Sequence, residues 1–211
     1  MTQATLETIL ARAPLVPVLA IDDLADAVPL AEALAEGGLP VLEVTLRTAH
    51  GLAAIEAMAT ALPEASIGVG TITRPEEFSQ ARSAGAVFAV SPGCTAELSA
   101  AARSADIAFL PGVATASEVL QAQAQGAGIL KLFPAEAVGG VALLKSLAGP
   151  FADVRFCPTG GIGPANMMDY LRLANVVAVG GSWVAPRAAV AAKDWQAITK
   201  LARAAVDQAA E

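Results

Sequence analysis

Short apolar runs recur along the chain, each followed by a turn and then by a segment whose apolar residues fall at helical spacing. The runs cover residues 15–21, 41–46, 66–72, 88–91, 108–113, 129–133, 154–157 and 176–179, eight in all, beginning 20 to 26 residues apart. Runs of this length without strict alternation read as strands buried on both faces, as in a parallel sheet with helical crossovers. The segments between them carry helix signals. Thr73-Arg74-Pro75-Glu76 and Thr115-Ala116-Ser117-Glu118 each have the form of a capping box, in which the threonine hydroxyl takes an orphan amide and the glutamate reaches back. Gly37-Gly38 and Gly126 stand where helices should stop. Leu52, Ile55, Met58 and Leu62 form a core-facing stripe. A further helix is predicted over residues 5–12, ahead of the first strand, where it would cover the floor of a barrel. A capped amphipathic helix is predicted over 194–210.

Eight strand–helix units in a chain of 211 residues predict one α/β domain over residues 1–211, a (β/α)8 TIM barrel with an additional N-terminal helix. An open doubly wound sheet has the same local alternation. The unit count favours closure, as do polar residues gathered at the C-terminal ends of several strands, where barrels keep their active sites.

Lys131 is one of those polar residues, set in the apolar strand Gly128-Ile129-Leu130-Lys131-Leu132-Phe133-Pro134. A charged, unpaired lysine inside a strand costs several kcal/mol. Burial disfavours the ammonium, and the free amine is the form that attacks a ketone to make a Schiff base. The chain has three other lysines, Lys145, Lys193 and Lys200, all in segments read as helical and solvated. The plainer reading of Lys131 is a side chain that reaches the strand end or pairs with a carboxylate.

The second strand changes that balance. Side chains alternate along a strand, so in Val41-Leu42-Glu43-Val44-Thr45-Leu46-Arg47 the residues Glu43, Thr45 and Arg47 share one face and the apolar residues the other. The apolar face suits the helices, which turns the polar face inward. There Glu43 can act as general acid and base beside the amine, and Arg47 offers a fork for a carboxylate. A structural Glu–Arg pair is the alternative. The last two units suggest an anion site. Gly160-Gly161 follows strand seven, Gly181-Ser182 follows strand eight, and Pro164 suits the first turn of a helix. Glycines let backbone amides approach an anion, and this is the usual phosphate corner of the barrel. Thr71 and Thr159, at strand ends, can bond a substrate carboxylate or hydroxyl, and Phe133 can shield an imine from water. For these, strand-end packing or capping is an equal alternative. Ser91-Pro92-Gly93 and Pro111-Gly112 read as rim turns, His50 as an exposed helix-start residue and Cys157 as buried packing.

Composition narrows the function classes. Hydrophobic residues make up 55% and aromatics 4%, so Ala, Val, Leu and Ile must fill the core. The net charge of -7 argues against nucleic-acid or anionic-membrane binding and leaves an anionic substrate dependent on a local positive site. Two cysteines make no disulfide framework, and with one histidine no His/Cys cluster suggests a metal site, although carboxylates alone could still hold a hard cation. Neither an N-terminal leader pattern nor a membrane-length apolar stretch is seen, which predicts a cytoplasmic protein.

These residues resemble the bacterial 2-keto-3-deoxy-6-phosphogluconate (KDPG) aldolase / 4-hydroxy-2-oxoglutarate (KHG) aldolase family. The matching stretches are Glu43-Val44-Thr45-Leu46-Arg47-Thr48, Ser91-Pro92-Gly93, Lys131-Leu132-Phe133-Pro134-Ala135-Glu136, Arg155-Phe156-Cys157-Pro158-Thr159-Gly160-Gly161-Ile162 and Gly180-Gly181-Ser182-Trp183, in order and at family-like spacing. The resemblance implies a class I, metal- and cofactor-independent lyase of the Entner–Doudoroff pathway, active on a 2-oxo acid phosphate and assembled as a homotrimer. It implies Lys131 as the Schiff-base residue, Glu43 as proton shuttle and Arg47 as the carboxylate contact. Thr71, Phe133 and Thr159 would line the substrate pocket, with Gly160, Gly161, Gly181 and Ser182 at the phosphate end. The strand Val16-Pro17-Val18-Leu19-Ala20-Ile21 departs modestly from the family pattern. Three alternatives remain: the galactonate-epimer aldolase, a non-catalytic phospholigand-binding barrel and a metal-dependent pyruvate aldolase.

Overall fold

A computed structural model describes residues 3–210, with side chains described for residues 5–210. Met1, Thr2 and Glu211, which end the expected domain, lie outside the described residues, as do the side chains of Gln3 and Ala4. The described chain opens with helix α1 (Gln3–Leu10) and then alternates strands with helices. The strands are β1 (Leu15–Leu19), β2 (Val41–Thr45), β3 (Ser66–Gly70), β4 (Phe88–Val90), β5 (Ala108–Leu110), β6 (Gly112–Val113), β7 (Ile129–Leu132), β8 (Arg155–Phe156) and β9 (Val179–Gly181). The remaining helices are α2 (Ala27–Glu36), α3 (Gly51–Ala61), α4 (Glu76–Ser83), α5 (Ala96–Ser104), α6 (Ala116–Ala124), α7 (Gly140–Ala148), α8 (Met167–Leu171), α9 (Arg187–Ala191) and α10 (Trp195–Ala209).

Every strand pairing is parallel. One sheet has the order β5-β4-β3-β2-β1-β9 and the other β6-β7-β8. The fold is therefore α/β with parallel sheets, as the buried apolar runs require. The fifth run differs from expectation: it is split at Pro111, which has no N–H to give to a ladder. Its carbonyl still accepts from Lys131 N at 2.8 Å, and Ser91 N donates to Leu110 O at 3.3 Å. At the other junction Gly180 N donates to Pro158 O at 2.8 Å, beside an isolated parallel bridge between Thr159 and Gly180.

Strands β2 and β3 are buried at every position. Glycines in β3 make room for large neighbours: a Cβ on Gly68 would lie 2.3 Å from the Phe88 ring, and one on Gly70 would lie 2.2 Å from Glu43 Oε1. Helix α1 buries Leu6 and Leu10 completely. Just after it, Arg12 donates to Ser66 Oγ and Glu64 O, each at 2.7 Å, while Glu7 meets Arg155 at 2.6 Å. Ser66 and Arg155 start β3 and β8, so α1 lies at the N-terminal ends of the strands, away from the candidate site.

The Thr115–Glu118 capping box forms, with Thr115 Oγ1 accepting from Glu118 N and the Glu118 carboxylate accepting from Thr115 N. The box expected at Thr73 and Glu76 does not. Pro75 occupies the N-cap, and it is Glu77 that accepts from Thr73 N at 2.8 Å and Arg74 N at 3.0 Å. Gly37 caps α2, and Gly126 follows α6 with φ of 90°. Asp194 caps α10 through Ala197 N. Two boundaries near the expected anion corner also shift. Gly180 and Gly181 lie inside β9, opposite Val16 and Pro17, rather than after the strand. The helix expected from Pro164 begins at Met167 and lasts five residues. Among the described residues no helix is long and apolar enough to cross a membrane.

Candidate active site

Strand β7 carries Lys131 into the protein opposite Gly112 of β6, leaving the residue only 5% exposed. Strand β2 delivers Glu43, 3% exposed, from the other sheet. Their charged ends meet with Lys131 Nζ donating to Glu43 Oε1 at 3.3 Å. This separation is longer than a tight ammonium–carboxylate contact, and such contacts in unliganded sites commonly tighten only when substrate enters. Phe133 places its ring 5.1 Å from Lys131 Nζ, on one wall of the space around the amine.

These groups open into a cavity of about 370 Å³. All ten residues singled out from the sequence line it: Lys131 and Glu43 together with Arg47, Thr71, Phe133, Thr159, Gly160, Gly161, Gly181 and Ser182. Arg47 lies two residues past the end of β2, exposed at the mouth. Thr45, expected on the same face as Glu43 and Arg47, does not line the cavity; its hydroxyl donates to Leu19 O at 2.8 Å and ties β2 to β1. Thr71 has φ of 63°, a left-handed conformation that is costly for a β-branched residue. The backbone on either side is held, with Leu46 N donating to Gly70 O at 2.9 Å and Ile72 N to Val90 O at 3.1 Å. Strained residues of this kind concentrate at functional sites.

The anion corner is built differently from the helix-terminus picture. A five-residue α8 that starts beyond Asn166 offers little dipole to a ligand at Gly161. The amides of Gly161 and Ile162 instead have no hydrogen-bond partner among the described residues. Gly160 and Gly161 both take positive φ, 106° and 79°. Gly180 has no room for a side chain because Thr159 Oγ1 would lie 2.2 Å from its Cβ, and a Cβ on Gly181 would collide with the Trp183 ring.

Val18, Pro92, Ile162 and Gly180 also line the cavity and were not among the candidates. Gly180 adjoins a chosen glycine and Pro92 belongs to a rim turn already noted. Val18 and Ile162 are apolar residues in apolar surroundings, and nothing in the sequence distinguishes them. A larger cavity of about 640 Å³ adjoins the site and shares Val18, Arg47 and Ser182 with it. It contains neither Lys131 nor Glu43, so reactivity rather than volume marks the site.

The plainer readings also have outcomes. Burial pushes the Cys157 thiol up to about 12, which keeps it protonated and unreactive. His50 is exposed at the N-cap of α3. Lys145 and Lys200 are exposed on α7 and α10, whereas Lys193 lies in the turn before α10, 3.5 Å from Asp26. Among the described residues no group of three or more His, Cys, Asp or Glu side chains is arranged to hold a metal ion.

Comparison with known proteins bears directly on this geometry. The family model "KDPG and KHG aldolase" matches residues 6–201. The chain belongs to the KDPG and KHG aldolase family. It is 49% identical to the 2-dehydro-3-deoxy-phosphogluconate aldolase of Pseudomonas aeruginosa over 208 residues, covering 99% of this chain and 94% of that one. It is 50% identical to the KHG/KDPG aldolase of Escherichia coli over 203 residues, covering 96% and 95%. Among solved structures it is similar to the KDPG aldolase of Legionella pneumophila, captured with pyruvate as a covalent carbinolamine intermediate. That match has a TM-score of 0.93 and 45% identity, and covers 95% of this chain and 97% of the other.

Proposed function

We propose that this chain is a class I aldolase that cleaves 2-dehydro-3-deoxy-6-phosphogluconate to pyruvate and D-glyceraldehyde 3-phosphate. It also cleaves 4-hydroxy-2-oxoglutarate to pyruvate and glyoxylate. The observation that carries this reading is the buried amine of Lys131, 3.3 Å from the Glu43 carboxylate in a cavity with Arg47 at its mouth. The carbinolamine captured in the Legionella pneumophila relative supports imine chemistry in the family.

The steps follow from these groups. The substrate carboxylate pairs with the Arg47 guanidinium and the Thr71 hydroxyl, which sets the C2 ketone before Lys131 Nζ. Glu43 first takes a proton from Lys131 Nζ. The free amine adds to C2 while one of its N–H protons passes to the carbonyl oxygen, and the carbinolamine then loses water with the proton from Glu43 to leave a protonated imine. Glu43, now a carboxylate, takes the C4 hydroxyl proton as the C3–C4 bond breaks. The bond electrons move into the iminium to give an enamine, so the imine is the electron sink and no metal is needed for that step. The aldehyde leaves, Glu43 returns its proton to C3, and water hydrolyses the imine to free pyruvate and Lys131. The loops at Gly160-Gly161 and Gly181-Ser182 hold the phosphate.

The same reading takes residues 1–211 as one domain. Its two sheets form one closed (β/α)8 TIM barrel, supported by the hydrogen bonds across Pro111 and between Pro158 and Gly180, with α1 covering the floor. It takes the working enzyme as a cytoplasmic homotrimer without a cofactor, testable by sedimentation equilibrium. Borohydride reduction with pyruvate, followed by peptide mapping, tests the chemistry. A lactyl-type mass on the Lys131 peptide is expected; labelling at Lys145, Lys193 or Lys200, or none, overturns the reading.

A further inference from the structure

Outside the cavity that holds Lys131, a polar cluster ties the end of β7 to the glycine loop. After Lys131 the chain runs through Phe133 and Pro134 and turns back against residues 159–161. Ala135 N donates to Thr159 O at 2.8 Å and Glu136 N donates to Gly160 O at 3.1 Å. The Glu136 side chain packs flat on Gly161: a Cβ there would lie 2.7 Å from both Cβ and Cγ of Glu136. The far end of Glu136 is held as well, because its Oε1 accepts from the hydroxyl of Tyr170, a fully buried residue on α8. Gly140 leaves space for this contact, since a Cβ on it would lie 2.7 Å from the Tyr170 hydroxyl and 3.0 Å from Glu136 Oε1. On the other flank Asn166 closes the loop. Its Oδ1 accepts from Gly163 N at 2.8 Å and its Nδ2 donates to Gly161 O at 3.2 Å.

We infer that Glu136, anchored by Tyr170, and Asn166 are positioning residues that hold the 160–163 loop in its left-handed form with the Gly161 and Ile162 amides free for a phosphate. The inference rests on the phosphate role proposed above for that loop. Two glycines in succession with positive φ have many other conformations open to them. The loop's backbone contacts to residues 135 and 136 alone leave its far end free to move. Glu136 packs against Gly161 and Asn166 bonds Gly161 O and Gly163 N, and neither lines the cavity that holds Lys131. Their work should therefore show in anion affinity and not in carbon–carbon bond cleavage.

The test compares wild type with Glu136→Ala, Glu136→Gln and Asn166→Ala, using inorganic phosphate as the binding probe and both substrates for kinetics. Loss of a loop-holding hydrogen bond to a charged or amide group should weaken phosphate binding by calorimetry about tenfold in Glu136→Ala and Asn166→Ala. The KM for the phosphorylated substrate should rise by a similar factor, with kcat/KM for 4-hydroxy-2-oxoglutarate within about twofold of wild type. Glu136→Gln keeps the stem on Gly161 and an acceptor for Tyr170, so it should recover most of the loss. If Glu136→Ala fails to fold, Asn166→Ala and Glu136→Gln still decide. Unchanged phosphate affinity in folded Glu136→Ala or Asn166→Ala, or an equal loss on both substrates, overturns the inference. Phosphate binding needs no aldol chemistry, so a wild type that fails to trap pyruvate at Lys131 sinks the proposed function alone, and the calorimetry still decides the bracing.

Discussion

Glu43 and Gly70 divide one volume between them, and the proton transfer proposed for Glu43 depends on that division. A methyl group on Gly70 would lie 2.2 Å from Glu43 Oε1 and 2.6 Å from its Cγ, so Gly70→Ala must push the carboxylate off Lys131. Displacements near 1 Å in a reacting group cost on the order of 10²-fold. A fall of that size in kcat is expected, with pyruvate trapping at Lys131 slowed as well. Glu43→Gln keeps the shape and removes the proton transfer; its kcat should fall by about 10²–10⁴-fold with KM changed little. Near-normal turnover would reduce Glu43 to a structural partner. Charged residues in apolar strands were visible in the sequence because burying them is costly without a purpose. Thr71 was visible as a strand-end hydroxyl, but its positive φ was not. That strain is imposed by the paired backbone around it, which no single residue encodes.

Helix caps show how close local reading comes to the structure. Thr115 and Glu118 form the expected box because both lie on one uninterrupted turn. Thr115→Ala should lower stability by about 1 kcal/mol in urea unfolding. At α4 the same pattern misled, because Pro75 at the N-cap has no side-chain acceptor and Glu77 reaches the Thr73 and Arg74 amides instead. Burial opposes ionisation of Glu77, but the Thr73 amide, the Arg74 guanidinium and the Arg74 amide outweigh it and hold the carboxyl below its ordinary value of 4.5. A carboxyl lowered in the folded state adds stability above its unfolded value and loses it as pH falls through the folded value. Glu77→Gln should therefore be less stable than wild type at neutral pH, and the gap should close as pH falls below about 4.5. Unfolding curves at several pH values check this; a gap that persists in acid would trace the effect to shape rather than charge. The later start of α8 has a related cause. Pro164 permits a helix start, but Asn166 spends its side chain on Gly163 N and Gly161 O and delays the helix to Met167.

Across the whole molecule the two ends of the strands do different work. Helix α1 buries Leu6 and Leu10 at the N-terminal ends of the strands, while the candidate site residues gather at the opposite ends. Leu6→Ala should cost about 2–5 kcal/mol of stability and leave kcat of the folded protein near wild type, as thermal melting and steady-state kinetics can show. The apolar periodicity by itself pointed to an α/β chain with parallel strands, because short apolar runs separated by helical segments need not alternate when both faces are covered. The polar residues breaking that periodicity determined where to look for chemistry, since a lysine and a glutamate inside apolar strands are too costly to be incidental. Only the tertiary structure decided which of them meet. Lys131 and Glu43 are 88 residues apart in the chain and lie in different sheets, and a 3.3 Å contact between them depends on strand register and on the missing side chain at Gly70. Tertiary structure alone also decided how the glycine loop is held. Nothing in the sequence marks Glu136, Asn166 and Tyr170 as partners, and they meet around Gly161 because the turn after β7 and the start of α8 pack against that loop.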